Sequence, residues 1–489
     1  MIRLEYQDNF PDERQKSLIQ LFPDCHLHIR GVAGSGKTRI AIAKYEYLLQ
    51  KGIPEENVLF LAYNNALMNY VNDFLGKPVA KTYHKFIQPY LYPNPAIHIL
   101  SNDDCRLVLI TRAMNACQKD GKIPFCKNHD EAFFLDEINF INDFCLSKPE
   151  YLDEHTKRHG RPRISLDNRK ICFKIYEIYN ELKAAKGYQY DWGETAKAAC
   201  KKLLQGEIRP AKKYDYIIID EAQDFSFSML KSLTYFLSNP SRGFILFSDL
   251  AQQIYGKRIS FKSLNIGKFY RPRRLMVNYR NPQCIQKFAH AITQSKFWQG
   301  QVGKIDENSN ATPDGMDPIY ICLATKDRNQ QLFKLVDFVH RKDPGATIGV
   351  AVYLKTQDHH FTEFLDVDTV YKILSDGGER VQNLNIYRHG FDSSIPISVG
   401  TFHSMKGLEF DYVFMIIPDN KVVIQFTTDM DVVRKKEEDF VKLCYMVSTR
   451  AKKRLFMIWQ SDGEDAVPEA FSRTQKYGRY DFNDFFPET

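Results

Sequence analysis

The stretch Gly31–Thr38 reads GVAGSGKT and decides the fold class. In the pattern G-x-x-x-x-G-K-[ST], glycines let backbone N–H groups turn onto phosphate oxygens, the lysine adds positive charge and the hydroxyl can ligate Mg²⁺. Residues 26–30 are predicted as a strand, and residues 37–50 as a helix whose N-terminal end faces the phosphates. The alternative, a turn without function, does not need these flanking elements. The predicted phosphate-binding residues are Gly31, Val32, Ala33, Gly34, Ser35, Gly36, Lys37 and Thr38.

Length and composition are those of a globular protein. The 489 residues suffice for two to four domains, with 44% hydrophobic and 26% charged residues. No apolar run approaches the roughly 20 residues that span a bilayer, and the start, MIRLEYQDNFPDERQ, is too polar for a secretory signal. We therefore expect a soluble, cytoplasmic protein without a membrane partner. The net charge of +7 permits nucleic-acid binding but does not require it.

Cysteine usage argues against a metal cluster. There are ten cysteines, and no two have the C-x-x-C spacing of common zinc and iron–sulfur sites. We expect reduced, structural thiols.

A second stretch, YDYIIIDEAQDF at 214–225, carries adjacent acids after an apolar run. The run is predicted as a buried strand, and ligands of α/β proteins lie at the carboxyl ends of such strands. Asp220 can hold Mg²⁺ and Glu221 can polarise an attacking water. A capped strand end with solvated acids is the alternative, which the upstream loop disfavours.

Together, GVAGSGKT and DEAQD resemble the UvrD/Rep-type superfamily 1 helicases. The resemblance implies an α/β fold of two tandem RecA-like P-loop domains with parallel sheets. It also implies ATP and Mg²⁺ as cofactors, single-stranded or tailed DNA as partner, and 3′→5′ translocation coupled to unwinding.

Further motifs extend the resemblance around the nucleotide. Gln15 in DERQKSLIQLF stands where the family reads adenine, and Arg39 matches a nucleotide-contacting arginine. Gln252 in FSDLAQQIYG corresponds to the γ-phosphate sensor. In VNYRNP, Tyr279 corresponds to the ring that stacks on adenine and Arg280 to an arginine that reaches the γ-phosphate.

Two motifs lie far down the chain. VGTFHSMKGLEFDYVF (399–414) and YMVSTRAKKRL (445–455) also resemble motifs of the family. The resemblance implies that Glu409 belongs to the nucleotide site and that Arg450 is the second arginine finger. They can reach the loop only if the second half folds into a sheet of its own that faces the first. Apolar runs alternating with helical stretches such as 327–341 predict this sheet. The predicted strands are Ile319–Leu323, Ile348–Tyr353, Ile397–Thr401, Tyr412–Ile417 and Leu455–Trp459.

DNA contacts are also implied by the resemblance. LAYNNAL (61–67) and KTYHKF (81–86) resemble strand-contacting motifs, and His403 belongs to a third. Base stacking needs exposed rings, so we expect exposed aromatic side chains in the first two motifs. The predicted DNA-contacting residues of these motifs are Tyr63, Asn64, Thr82, Tyr83, His84 and His403.

Lys37 and Asp220 are 183 positions apart (220 − 37), which exceeds the needs of a core sheet. Residues 88–210 are therefore predicted as a mostly helical insert, the family's 1B subdomain. Its basic stretch resembles a family segment, and Arg158, Arg161 and Arg163 could contact strand phosphates. A solvated basic loop is the alternative. YDW (190–192) resembles the motif that closes this subdomain.

The chain departs from the long-form family in one respect. Only a polar stretch near 375–395 is left over for the 2B subdomain, so 2B is absent or reduced. Phe261 could replace the base-stacking aromatic after QIYG, although a buried phenylalanine is the more frequent case. The predicted division is 1–87 with 211–275 as domain 1A, 88–210 as 1B, 276–460 as 2A and 461–489 as an acidic extension.

Three functions remain open. The first is a DNA translocase or helicase. The second is a helicase-like ATPase subunit that senses DNA ends and regulates a partner nuclease, similar to the subunit of Gabija-type antiphage defence systems. The third, an RNA remodeller, is less favoured. No nuclease motif is evident in the sequence.

Overall fold

The computed structural model describes most of the chain. The described residues are 11–22, 24–92, 98–118, 123–159, 161, 163–249, 264, 266–298, 314–324, 326–354, 365–385, 391–392, 394–418, 423, 430–460, 471 and 479–482.

The first half alternates strands and helices around a long helical stretch. Its elements are α1 (Glu13–Gln20), β1 (Leu27–Gly31), α2 (Lys37–Gln50), β2 (Val58–Ala62), α3 (Asn65–Leu75), β3 (Ala80–Thr82), α4 (Tyr83–Leu91), β4 (His98–Leu100), α5 (Asp103–Cys117), α6 (Pro124–Lys127), α7 (Glu131–Asp143), α8 (Lys148–Leu152), α9 (Leu166–Ala185), β5 (Tyr188–Asp191), α10 (Thr195–Leu204), β6 (Tyr216–Ile219), α11 (Phe227–Leu233), β7 (Phe244–Ser248) and β8 (Arg273–Leu275).

The second half repeats the alternation. Its elements are α12 (Gln283–Thr293), β9 (Ile319–Leu323), α13 (Arg328–Lys342), β10 (Ile348–Val352), α14 (Val367–Asp376), β11 (Val381–Asn383), β12 (Ile397–Thr401), β13 (Phe410–Ile416), α15 (Met430–Ser448), β14 (Ala451–Gln460) and β15 (Arg479–Asp481).

The first sheet has six parallel strands in the order β3-β2-β6-β7-β1-β8. Its central strands are apolar on both faces, and Ile217, Ile218 and Ile219 of β6 are fully buried. Separate apolar clusters cover the two faces. Continuous apolar strands are what a parallel sheet with both faces covered requires. The sheet places the carboxyl ends of β1 and β6 next to the loop at Gly31–Thr38 and the acids at 220–221.

A helical insert separates β3 from β6 in the chain. Helices α5, α7 and α9 enclose an apolar core of their own that includes Ile110, Phe134 and Tyr179, and β4 pairs with β5 beside it. Helix α10 differs, because Ala199 and Leu203 join the core of the first sheet. The predicted α/β fold with a helical insertion in the first sheet domain is therefore present.

The second sheet has seven parallel strands in the order β11-β12-β10-β13-β14-β9-β15. The predicted strands and the helix near 327–341 are confirmed. β13 and β14 begin earlier than expected, because Phe410 pairs with Ala451, the last residue of the TRA motif. The fold is two parallel-sheet domains in tandem, as expected for RecA-like domains.

The stretch near 375–395 contributes to the second sheet. Val381–Asn383 forms β11, an edge strand that pairs with β12. In the described residues between 283 and 401, each helix and strand belongs to the second sheet or packs on it. No separate 2B subdomain is formed by this part of the chain.

A close approach in the second sheet gives a test of the fold. A Cβ at Gly349 in β10 would lie 2.5 Å from Cδ2 of the buried Phe410 ring. Gly349→Ala should therefore destabilise the protein by about 1–3 kcal/mol through overpacking. The matched control is Gly345→Ala, where a Cβ meets no described heavy atom within 4 Å. Urea unfolding followed by circular dichroism measures both variants, and equal midpoints for the two would contradict the described packing.

Candidate nucleotide and nucleic-acid site

The loop at Gly31–Thr38 joins β1 to α2. Gly34 has a left-handed φ of 70°, and a Cβ there would lie 2.2 Å from Oδ1 of Asn278. Only glycine meets both demands. The loop is therefore shaped by contact with the NYRN segment.

Lys37 is held inside this loop. Its side chain is almost fully buried, and its Nζ donates to the carbonyl oxygens of Gly31 (3.0 Å) and Val32 (2.9 Å). It also forms an ion pair with Asp249 at 3.3 Å. A lysine ammonium has three donors and no acceptor. It can exchange these oxygens for phosphate oxygens without being left unpaired.

Thr38 and Asp220 bring two oxygen donors together. Thr38 Oγ1 donates to Asp220 Oδ2 at 2.6 Å. Asp220 is fully buried, and burial, reinforced by the charge of Glu221, raises its pKa to about 7. Carboxylate and hydroxyl oxygens are ligands that suit Mg²⁺. The donor set therefore fits this ion.

Glu221 has an unusual backbone and stays ionised. Its φ of 53° is rare for a residue other than glycine, and Gln223 Nε2 donates to its carboxylate. Burial opposes ionisation, but the ammonium groups of Lys37 and Lys406 hold the pKa of Glu221 below its usual value. An ionised carboxylate in such a position can accept a proton.

Two arginines approach from the second half of the chain. Arg280 forms an ion pair with Glu409. Arg450 is buried, and burial, followed by the charge of Arg280, lowers its pKa to about 10. It remains a cation at neutral pH, and Glu221 is among the acids that favour its charge. The site thus gathers positive charge opposite the loop.

Asn281 links the two arginine motifs. Its Nδ2 donates to the carbonyl oxygens of Thr449 (3.0 Å) and Ala451 (2.7 Å), on either side of Arg450. Asn278 Oδ1 accepts from the backbone N–H of Arg280 at 2.8 Å. The NYRN and TRA segments are therefore held as one unit.

Gln15 and Tyr279 lie together at the other side of the loop. Gln15 Nε2 donates to the Ser35 carbonyl at 3.4 Å, and the Tyr279 N–H donates to the Gly34 carbonyl at 2.9 Å. Asp12, which caps α1, accepts from the Tyr279 hydroxyl. Both predicted adenine-side residues are thus adjacent to the loop. Arg39 is half-buried on the first turn of α2.

A buried ion pair joins the two sheet domains. Lys406 Nζ lies 2.7 Å from Oδ1 and 2.6 Å from Oδ2 of Asp224, and both side chains are almost inaccessible. Asn64 Nδ2 donates to the Lys406 carbonyl at 3.3 Å. The Lys406 Nζ also lies 5.7 Å from the centre of the Tyr63 ring. The segment after the acids at 220–221 therefore contacts the strand-contacting motifs through one lysine.

The predicted DNA-contacting residues differ in how exposed they are. Tyr63 and Asn64 are half-buried and His403 is exposed. Asn64 and Thr82 also cap α3 and α4, accepting from the N–H groups three residues on. Their side-chain oxygens therefore have a structural role in addition to any contact with DNA.

The prediction that the Tyr83 ring is exposed is wrong. Tyr83 is only 2% exposed, and its hydroxyl shares a 2.7 Å hydrogen bond with Ser232 Oγ in the core of the first sheet domain. The neighbouring His84 stacks on Trp192, with ring centroids 4.0 Å apart. Trp192 is 45% exposed. Trp192 is therefore an accessible aromatic side chain beside His84. In the sequence, the YDW motif indicated only where the insert ends and gave no role to this ring.

The prediction for Arg158 and Arg161 is also wrong. Arg158 binds the buried carboxylate of Glu137 with two hydrogen bonds, at 2.9 and 2.6 Å. Arg161 is buried, forms an ion pair with Asp136 and donates to its carbonyl. A buried carboxylate needs a cation beside it, so Arg158 serves the insert rather than DNA. Only Arg163 of the three is exposed.

The remaining sequence predictions concern two residues that the structure does not describe, the cysteines, metal binding and membrane association. Gln252 and Phe261 lie outside the described residues. The ten cysteines are free thiols. The described part of the chain contains no group of three His, Cys, Asp or Glu side chains suited to a metal ion. Among the same residues, no helix combines the length and apolar character needed to cross a membrane.

The ion pair between the domains can be tested by removing one charge. Lys406→Met leaves the Asp224 carboxylate buried and uncompensated, which should cost about 3–5 kcal/mol of stability. Adding Asp224→Leu removes the second charge and should restore most of the loss. The control is Lys453→Met, since Lys453 and its partner Asp343 are 44% and 33% exposed. Urea unfolding that shows the same small loss for Lys406→Met and the control would contradict the buried pair.

Comparison with known families agrees with this geometry. The family model for the UvrD/REP helicase N-terminal domain matches residues 12–270. The model for the UvrD-like helicase C-terminal domain matches residues 378–462. No curated protein matches the chain. The first model alone covers more than half of the chain, and the second covers strands β11 to β14 of the second sheet. The chain therefore belongs to the UvrD/REP family of DNA helicases.

Proposed function

We propose that this protein is an ATP-dependent translocase on single-stranded DNA, which moves 3′→5′ and unwinds tailed duplexes. The observation that carries the proposal is the Lys406 network. Lys406 binds Asp224, which closely follows the acids at 220–221, and its carbonyl accepts from Asn64, which belongs to the strand-contacting motif at 61–67. A coupled motor needs such a connection between ATP turnover and the DNA track. The polarity rests on the family resemblance alone.

The nucleotide chemistry follows from the site. Lys37 holds the terminal phosphates, and Thr38 and Asp220 hold Mg²⁺, which neutralises phosphate charge when it is bound. Glu221 orients the attacking water and accepts its proton. Arg280 and Arg450 stabilise the charge that develops on the transferred phosphate, an effect of about 10³–10⁵ in rate for such arginines. Gln252 keeps its predicted role as γ-phosphate sensor by resemblance.

DNA binding is proposed along the edge of the first sheet domain where β2 and β3 end, from Tyr63 beside Lys406 to the stacked His84 and Trp192 rings. We assign base contacts to Tyr63, His84 and Trp192, because rings on this edge can stack on bases. Polar or phosphate contacts are assigned to the remaining candidates, Asn64, Thr82, Arg163 and His403. Tyr83 and Arg161 are excluded by their burial. The affinity for DNA should fall as the salt concentration rises, because the proposed phosphate contacts release counterions.

The domain division is proposed as the sequence predicted it. Residues 1–87 and 211–275 form 1A, 88–210 form 1B and 276–460 form 2A. The predicted extension at 461–489 is corrected in one respect, because its strand β15 (Arg479–Asp481) pairs with β9 and so belongs to the second sheet. Helix α10 packs on the first sheet domain, which supports a close junction between 1B and 1A.

A regulatory role beside a nuclease is the second candidate. The described residues near 375–395 form an edge strand and no separate 2B subdomain. In long-form relatives 2B regulates strand separation. A chain without it would use a partner protein for that step, and a DNA-end sensor that governs a nuclease would have the same motor.

Glu221→Gln tests the proposed chemistry. The amide cannot accept the proton of water, so turnover should fall by about 10²–10⁴ while ATP binding is kept. ATP hydrolysis with single-stranded DNA and ATP binding are measured on the same preparation. The control is Glu207→Gln at an exposed position, which should hydrolyse ATP normally. Wild-type turnover by Glu221→Gln would show that another group is the base.

Tailed duplexes test the direction and the need for a partner. We expect strong stimulation of ATP hydrolysis by single-stranded DNA and weak stimulation by blunt duplex or RNA. Single-turnover strand displacement should occur on 3′-tailed substrates and be slight without a partner protein.

Two outcomes of this assay would contradict the proposal. Efficient unwinding from a 5′ tail would overturn the polarity. Efficient unwinding of blunt ends by the chain alone would overturn the need for a partner.

A further inference from the structure

Tyr70 has a hydroxyl group that the described part of the fold leaves without a hydrogen-bond partner. The residue lies on α3, and its ring packs against the core of the first sheet domain and near Phe74. The hydroxyl oxygen is enclosed and has no hydrogen-bond partner among the described residues. This distinguishes Tyr70 from Tyr45 on α2, whose buried hydroxyl donates to Glu55 at 2.9 Å.

An unpaired hydroxyl group is unfavourable for folding. Enclosing one without a hydrogen bond costs about 1–3 kcal/mol, and buried tyrosine hydroxyls usually find partners. Phenylalanine would fill the same space without this cost. In the described structure, the packing of α3 therefore accounts for the ring at position 70 but not for its oxygen.

The surroundings of this hydroxyl are those of the proposed ATP site. The charged groups that act on it are Glu409, Arg39, Arg280 and Asp220. Each was assigned above to the nucleotide or its Mg²⁺. Burial, followed by the charge of Glu409, raises the pKa of Tyr70 to about 12. The phenol is thus neutral at physiological pH and can donate a hydrogen bond.

One of these charged groups, a possible acceptor for the hydroxyl, is already paired with another residue. The Glu409 carboxylate, the strongest of these influences, forms an ion pair with Arg280. A nucleotide bound at the loop would bring phosphate oxygens and sugar hydroxyls to the same charged groups. Either kind of oxygen accepts from a phenol.

We propose that the Tyr70 hydroxyl donates a hydrogen bond to the sugar–phosphate part of bound ATP. The inference rests on the proposed function, because it requires ATP at this loop. It adds to the nucleotide site a residue that none of the sequence motifs indicated.

The position of Tyr70 gives the contact a second consequence. Asn64, which caps α3, donates to Lys406, and Tyr70 lies six residues further along, about 9 Å at 1.5 Å per residue. One helix then touches the strand-contacting motif at its start and the nucleotide in its middle. The same rigid helix, α3, would then respond both to ATP binding and to contact with DNA.

Tyr70→Phe separates this role from a structural one. With the hydroxyl removed, ATP should bind about 5–10-fold more weakly, the effect of one neutral hydrogen bond. The Tm of the nucleotide-free protein should be unchanged or higher, because an unpaired buried group is lost. The control, Tyr45→Phe, should lower Tm and leave ATP affinity alone. Calorimetric titration with ATP and thermal unfolding measure the two quantities on the full chain.

Nucleotide analogues distinguish the two possible acceptors. If the weakening by Tyr70→Phe disappears with 2′-deoxyATP or 3′-deoxyATP, the acceptor is the missing sugar hydroxyl. If it persists with both, the acceptor is a phosphate oxygen; both results support the contact. Equal ATP affinity in Tyr70→Phe and wild type overturns the inference, whatever the Tm. A wild-type chain that binds no ATP overturns the proposed function itself, and so the two failures are distinct.

Discussion

The buried ion pair between Lys406 and Asp224 is the contact on which the arrangement of the two domains depends. Both side chains are removed from water, and a buried charge is tolerated only while its partner stays in place. The pair therefore helps to fix where the second sheet stands relative to the first, together with the hydrogen bonds from Tyr279 to Gly34 and from Asn64 to Lys406. Arg280 and Arg450 reach the loop from elements tied to that second sheet, since Asn281 joins their motifs.

The same lysine connects two kinds of chemistry. Its ammonium group favours the ionised form of Glu221 and lies near the Tyr63 ring, while its carbonyl accepts from Asn64. A base that stacked on Tyr63 would change the surroundings of an ammonium that helps set the charge of Glu221. The coupling then needs no long pathway, because the two sites share one residue.

Local patterns predicted the loop, the acids and most strands, because each depends on residues close in sequence. The loop conformation of GVAGSGKT and the apolar run before Asp220 are of this kind. Burial of Tyr83 and of Arg158 depends on what packs against them, namely Ser232 and the Glu137 carboxylate. No motif carried that information. Tyr70 was missed for the same reason, since a tyrosine within an amphipathic helix looks like an ordinary core residue until its hydroxyl is placed.

The order of strands in the first sheet constrains how the protein is made. β1 lies between β7 and β8, so Ile29 pairs with Phe247 and Arg273, and Val58 of β2 meets Tyr216, 158 positions away (216 − 58). A chain leaving the ribosome exposes β1 without either neighbour, and β2 with only β3 beside it, until those later strands have been synthesised. The helical insert, whose core is local in sequence, can be complete by then. Long-range pairing of this kind slows folding and prolongs exposure to aggregation. The insertion that separates the motifs thus sets the interval during which the nascent motor needs protection.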